Sequence, residues 1–197
     1  MSTSFLVFGA CAALSVFWAV GAHNRLVRLS HAVVAAHAPV DTYLRARQLM
    51  LGNWLGDAAR GGLAPADRSA LGQALQAVDK ALDDARRHSL SPVELSRLNQ
   101  AEQAQNEALT RLWFRATGSH EEVDARRQDL RQALFEANEQ IALAAVPYLA
   151  AVRAYNQAVT EFPAVLVARL SRLRALPEFC MLDAAASPWA LADMRRE

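Results

Sequence analysis

Residues 4–22, SFLVFGACAALSVFWAVGA, carry no charged side chain. Wound as a helix, 19 residues span roughly 28 Å, the thickness of a bilayer's hydrocarbon core. Trp18 stands near one end, where an amphipathic ring suits the headgroup level. A cleaved signal peptide opens on a positive region, and MSTS has no Lys or Arg. A lipoprotein site at Cys11 lacks the same charged leader and most of the apolar stretch before the cysteine. A buried core helix would show a polar face, and this stretch has none. Residues 1–23 are therefore expected to be a transmembrane anchor. Residues 24–179 then form a helical bundle and residues 180–197 a C-terminal tail.

The remainder favours long helices. Alanine, the best helix former, occurs 41 times, and no glycine follows Gly118. A net charge of +1 produces no global field for nucleic acid, and none is expected as a partner. Two cysteines, one in the apolar segment and one in the tail, make no disulfide framework.

Apolar positions recur at alternating steps of three and four. Leu26, Leu29, Val33, Ala36, Val40 and Tyr43 begin a first stripe that continues through Met50 and Trp54. Pro39 should bend this helix, and Gly61 and Gly62 should end it. Pro65 opens a second helix, with Leu71, Leu75, Val78 and Leu82 on one face. Ser91, Pro92 and Glu94 form a helix start with a capping box. The third helix runs to about Ala116, its face of Leu98, Leu109 and Leu112 diluted by Glu102 and Gln105. After Thr117-Gly118, Ser119 and Glu122 cap a fourth helix. Its coiled-coil-like stripe is the longest: Leu134, Asn138, Ile141, Ala145, Tyr148, Val152, Tyr155, Val159 and Phe162. Pro147 should kink it and Pro163 end it or bend it into a short apolar helix. The fold expected is all-α: an N-terminal transmembrane helix followed by an antiparallel bundle of about four long helices. Tyr155, Val159 and Phe162 should be core, and Phe162→Ala should then cost about 3–5 kcal/mol.

No motif for chemistry emerges. His23, His31, His37, His88 and His120 include no pair at a metal-binding helical spacing. No glycine-rich phosphate loop and no GxSxG turn is present. No catalytic residue, metal or cofactor is expected, and the chain does not read as an enzyme. Tyr148 and Tyr155 fit a core stripe, whereas Asn156 must hydrogen-bond or face water.

The segment YNQAVTEFP, residues 155–163, with Leu166, Ala168, Pro177 and Phe179 after it, resembles the C-terminal signature of the LemA family. Tyr155-Asn156 and Phe162-Pro163 at a fixed distance on one helix are not demanded by bundle packing. On the N-terminal side a membrane helix, Asn24-Arg25-Leu26-Val27, Asp41, Leu44, Arg47 and Asn53 agree as well. The family's usual tryptophan is His37 here, and its earlier Tyr-Asn is Tyr148-Leu149. A basic residue before that tyrosine is Pro147, and a Gly-Phe pair is Arg172-Leu173. The resemblance implies a membrane-anchored antiparallel bundle of the bacterial envelope with no catalytic residue to carry over. Family-motif residues are Asn24, Asp41, Asn53, Tyr155, Asn156, Phe162, Pro163 and Phe179.

The expected role is an interaction scaffold tethered to the inner membrane through residues 4–22, with a protein partner in the envelope. The alternative is a ligand-sensing or transport-accessory bundle holding a small molecule near Tyr148 and Asn156. Arg25 and Arg28 just past the anchor favour an outside N-terminus and a cytoplasmic bundle over a periplasmic one.

Overall fold

The computed structural model describes residues 2–58, 63–114, 121–162 and 164–177. Five helices follow in order: α1 (Ser2–Ala58), α2 (Pro65–Arg87), α3 (Pro92–Phe114), α4 (Glu121–Thr160) and α5 (Ala164–Leu170). No strand occurs among the described residues. Gly61, Gly62 and the Thr117–Ser119 break lie outside them.

Helix α1 joins two environments in one rod. From Val7 it is long and apolar enough to cross a membrane, and none of its most apolar window is buried. From Leu26 onward the same helix enters the core, where Leu26, Val33, Val40, Leu44 and Leu51 are fully covered. Helix runs through Pro39 in α1 and Pro147 in α4. Both prolines face outward, so the hydrogen bond each removes opens toward the exterior rather than inside the core.

α1 and α4 pack antiparallel: Arg47 meets Asn138 and His37 meets Tyr148. Extending that register puts Tyr155 level with Ser30 and Thr160, the last residue of α4, level with Arg25. It also brings Pro39 and Pro147 to about one height. α2 and α3 form a hairpin against α1. Its turn places Ser91 at the cap of α3, where Ser91 Oγ accepts from the Glu94 N–H at 3.4 Å. α5 folds back onto α1 and α4.

The expected first stripe is buried or half-buried at every position except Tyr43. Leu26, Ser30, Val33, His37, Val40, Leu44, Arg47 and Leu51 are buried, while Tyr43 is 40% exposed. The alternation of three and four holds, but it carries Ser30, His37 and Arg47 inward, which apolarity alone does not reveal. On α4 the expected stripe is buried or half-buried from Leu134 to Val159. Phe162 is the exception: it is 80% exposed, because the helix ends at Thr160 and the chain turns a corner there.

Two apolar clusters fill the bundle. One gathers Leu44, Leu98, Ile141 and the residues toward α5. The other gathers Leu51, Leu75, Leu109 and Leu134 toward the opposite end.

Candidate functional site

Between those clusters lies a buried polar layer contributed by three helices. Arg47 of α1 is its centre. Nη2 of Arg47 donates to Glu102 of α3 in an ion pair whose side chains are 3% and 4% exposed. Nη1 donates to Asn138 Oδ1 on α4 at 3.1 Å. Beside them Gln48 and Gln105 exchange amide hydrogen bonds at 2.9 and 3.0 Å. Burial pushes the Glu102 carboxyl up from its ordinary range, and the neighbouring Arg47 guanidinium opposes that rise. Desolvating two charges is costly, and the amide oxygens of Asn138 and Gln105 offset part of that cost by accepting from Arg47.

Glu102 and Gln105 did not dilute the third stripe, as the sequence suggests; they belong to it. Leu95, Leu98, Glu102, Gln105, Leu109 and Leu112 keep the three-four alternation without a break. The phase was the signal, and residue type concealed it.

Nearer the N-terminus of α1, beginning about three turns before Arg47, a second group appears. His37 is buried with its ring edge-to-face against Tyr148, centroids 5.5 Å apart. Burial holds the His37 imidazole below its ordinary pKa, with the Asp41 carboxylate pulling the other way. Burial also pushes the Tyr148 phenol up to about 12. Asp41 accepts from Arg45 Nε at 3.1 Å, and Arg45 Nη1 reaches Asp83 of α2 at 3.0 Å.

The described family-motif residues do not converge on one pocket. Asn24 and Asn53 are exposed on α1, roughly 43 Å apart along the helix. Asp41 is buried in the ion pair just described, and Tyr155 is buried in the core. Asn156 has a structural partner: its Nδ2 donates to the Leu176 carbonyl, and its Oδ1 accepts from the Leu176 N–H, both at 2.8 Å. Phe162 is exposed and not core as the stripe suggests. Pro163 and Phe179 lie outside the described residues. Asn24 and Phe162 do come to the same end of the bundle, by the α1/α4 register.

Among the described residues no three of His, Cys, Asp and Glu gather to hold a metal ion. A groove between α1 and α4 opens beside the polar layer, lined by Tyr43, Arg47, Met50, Glu136 and Gln140.

The family model described as LemA family matches residues 71–189, more than half of the chain. The match takes in α2 from Leu71 and all of α3, and includes Tyr155, Asn156, Phe162, Pro163 and Phe179. Asn24, Asp41 and Asn53 precede it. No curated protein and no solved structure matches the chain.

Proposed function

The chain belongs to the LemA family, and from that membership we propose a membrane-anchored interaction scaffold without catalytic activity. The carrying observation is the continuity of α1. Its unburied apolar part and its core-forming part are one helix, so anchor and bundle are coupled without a flexible linker. Residues 4–22 cross the inner membrane of a bacterial cell, and the bundle stands in the cytoplasm, where Arg25 and Arg28 favour it. The partner is a protein that docks on the outward face of α4. Phe135, Leu143 and Val146 lie within one arc of that face and are 51%, 65% and 59% exposed.

A ligand near Tyr148 and Asn156 has less support. The Asn156 amide is engaged with Leu176 on both sides.

The test uses the full chain in its native membrane. It should resist alkaline extraction, and alkaline phosphatase fused after Glu197 should be inactive while a fluorescent protein there is bright. Proteins that co-purify from detergent should be lost on Leu143→Asp with Val146→Asp while helicity is kept. Release by alkali, or an unchanged set of co-purifying proteins, would overturn the respective half of the proposal.

A further inference from the structure

At the end of the bundle where the apolar part of α1 emerges, another apolar surface lies open. Phe162, Leu166 and Leu170 succeed one another at steps of four, and are 80%, 57% and 87% exposed. Helical bonding bridges the corner between them: the Val165 N–H donates to the Glu161 carbonyl at 2.9 Å. The opposite side of α5, Ala164 and Ala168, is buried against the bundle. α5 is thus apolar on both sides, with only one of them covered. Single exposed apolar residues are ordinary, but a row of three at helical spacing marks a contact surface.

Two further observations identify what meets that surface. The α1/α4 register sets Thr160, the last residue of α4, level with Arg25, just past residues 4–22. Around it Arg25, Arg28, Arg169, Arg172 and Arg174 are all exposed, and Glu161 is the single acidic residue among the described ones of this end. A row of Phe and Leu edged by arginines is the composition of a helix that lies in a membrane interface. Arginines at that depth attract anionic headgroups.

We propose that α5 and its corner rest in the headgroup layer of the same bilayer that residues 4–22 cross. Phe162, Leu166 and Leu170 dip beneath the headgroups, and the arginines engage anionic phospholipid. This rests on the membrane anchoring proposed above. The bundle is thereby held at two points, one transmembrane and one interfacial, which fixes its rotation about α1 and the direction in which the outward face of α4 looks.

Nitroxide labels test it in the full chain, with Cys11→Ser and Cys180→Ser removing the native thiols. Leu14→Cys, Phe162→Cys, Leu170→Cys and Gln132→Cys carry the label singly, in vesicles of phosphatidylcholine containing phosphatidylglycerol. Collisions with oxygen report immersion, and collisions with a neutral nickel chelate report water. Labels at 14, 162 and 170 should favour oxygen severalfold over the label at 132. Immersion at 162 and 170 should fall in pure phosphatidylcholine, and with Arg169→Glu, Arg172→Glu and Arg174→Glu combined, circular dichroism confirming retained helicity. Labels at 162 and 170 open to nickel while that at 14 is immersed would overturn this inference alone. A label at 14 open to nickel would overturn the anchor and this inference together. Shielding of 162 and 170 from both reagents would mean that protein covers the face, and immersion indifferent to lipid charge would remove the role given to the arginines; either result overturns the proposal.

Discussion

Arg172 adopts φ 56°, the left-handed region where a side chain crowds its own carbonyl. The residue sits just past α5, and its surroundings are a helix stop. The Leu173 N–H donates to the Ala168 carbonyl at 2.9 Å and the Arg172 N–H to that of Arg169 at 3.1 Å. Glycine is the residue suited to this position, and the LemA signature carries Gly-Phe where Arg172-Leu173 stands. Arg172→Gly should raise the stability of the full chain in neutral detergent by about 1 kcal/mol, read as a higher melting temperature. Phe162→Ala should change that temperature little, within about 0.5 kcal/mol, because the ring loses no buried contact. His37 provides a pH dependence. Its pKa is lowered on folding, so the unfolded chain takes up the proton first, and stability falls as pH drops below the ordinary 6.5. His37→Phe should flatten the decline in melting temperature below pH 6.5. A slope identical to that of the unaltered chain would place the titrating group elsewhere.

At the scale of the element, the end of α4 and the segment after α5 are tied through one side chain. Asn156 supplies both a donor and an acceptor to the backbone of Leu176, acting as a short stretch of strand would. Leu176 is buried in the same cluster as Leu26 and Val159. Asn156→Ala removes both bonds and should cost about 1–3 kcal/mol. Hydrogen exchange should locate the loss: amides of residues 173–176 lose protection while those of α4 from 141 to 155 keep theirs. Uniform loss along α4 would show Asn156 to be a core residue and not a tie. The family signature makes Tyr155-Asn156 legible, but its purpose lies 20 residues away, beyond any helical period.

For the whole molecule, the polar layer divides one long bundle into two apolar halves. Its specificity is positional: sliding α3 by one heptad against α1 would set Glu102 level with Val40 or Trp54 and strand Arg47. Removing one member of the pair should be severe. Glu102→Ala leaves a buried guanidinium without its counter-ion and should cost about 3–5 kcal/mol. Arg47→Met with Glu102→Leu should cost less than either single change, since no charge is then buried. Thermal melts of the four proteins form the cycle that measures this coupling. Additive costs would mean that the ion pair does not hold the register.

The stripes on α2 and α4, the serine cap at Ser91 and the uncharged run at 4–22 were legible because helical period, caps and hydropathy are local properties of a chain. Their outcome needed no partner. Arg47, Glu102 and Gln105 obey the same period, yet their types read as surface. Only the meeting of α1, α3 and α4 supplies the hydrogen bonds that make their burial tolerable. Phe162 erred in the other direction: its type and phase read as core, and the corner after Thr160 turns it outward. Pattern along the chain determines which face of a helix turns inward. Which polar groups that face can carry, and where it stops, is decided by what the other helices bring to it, because desolvation is offset only by contacts between residues far apart in sequence.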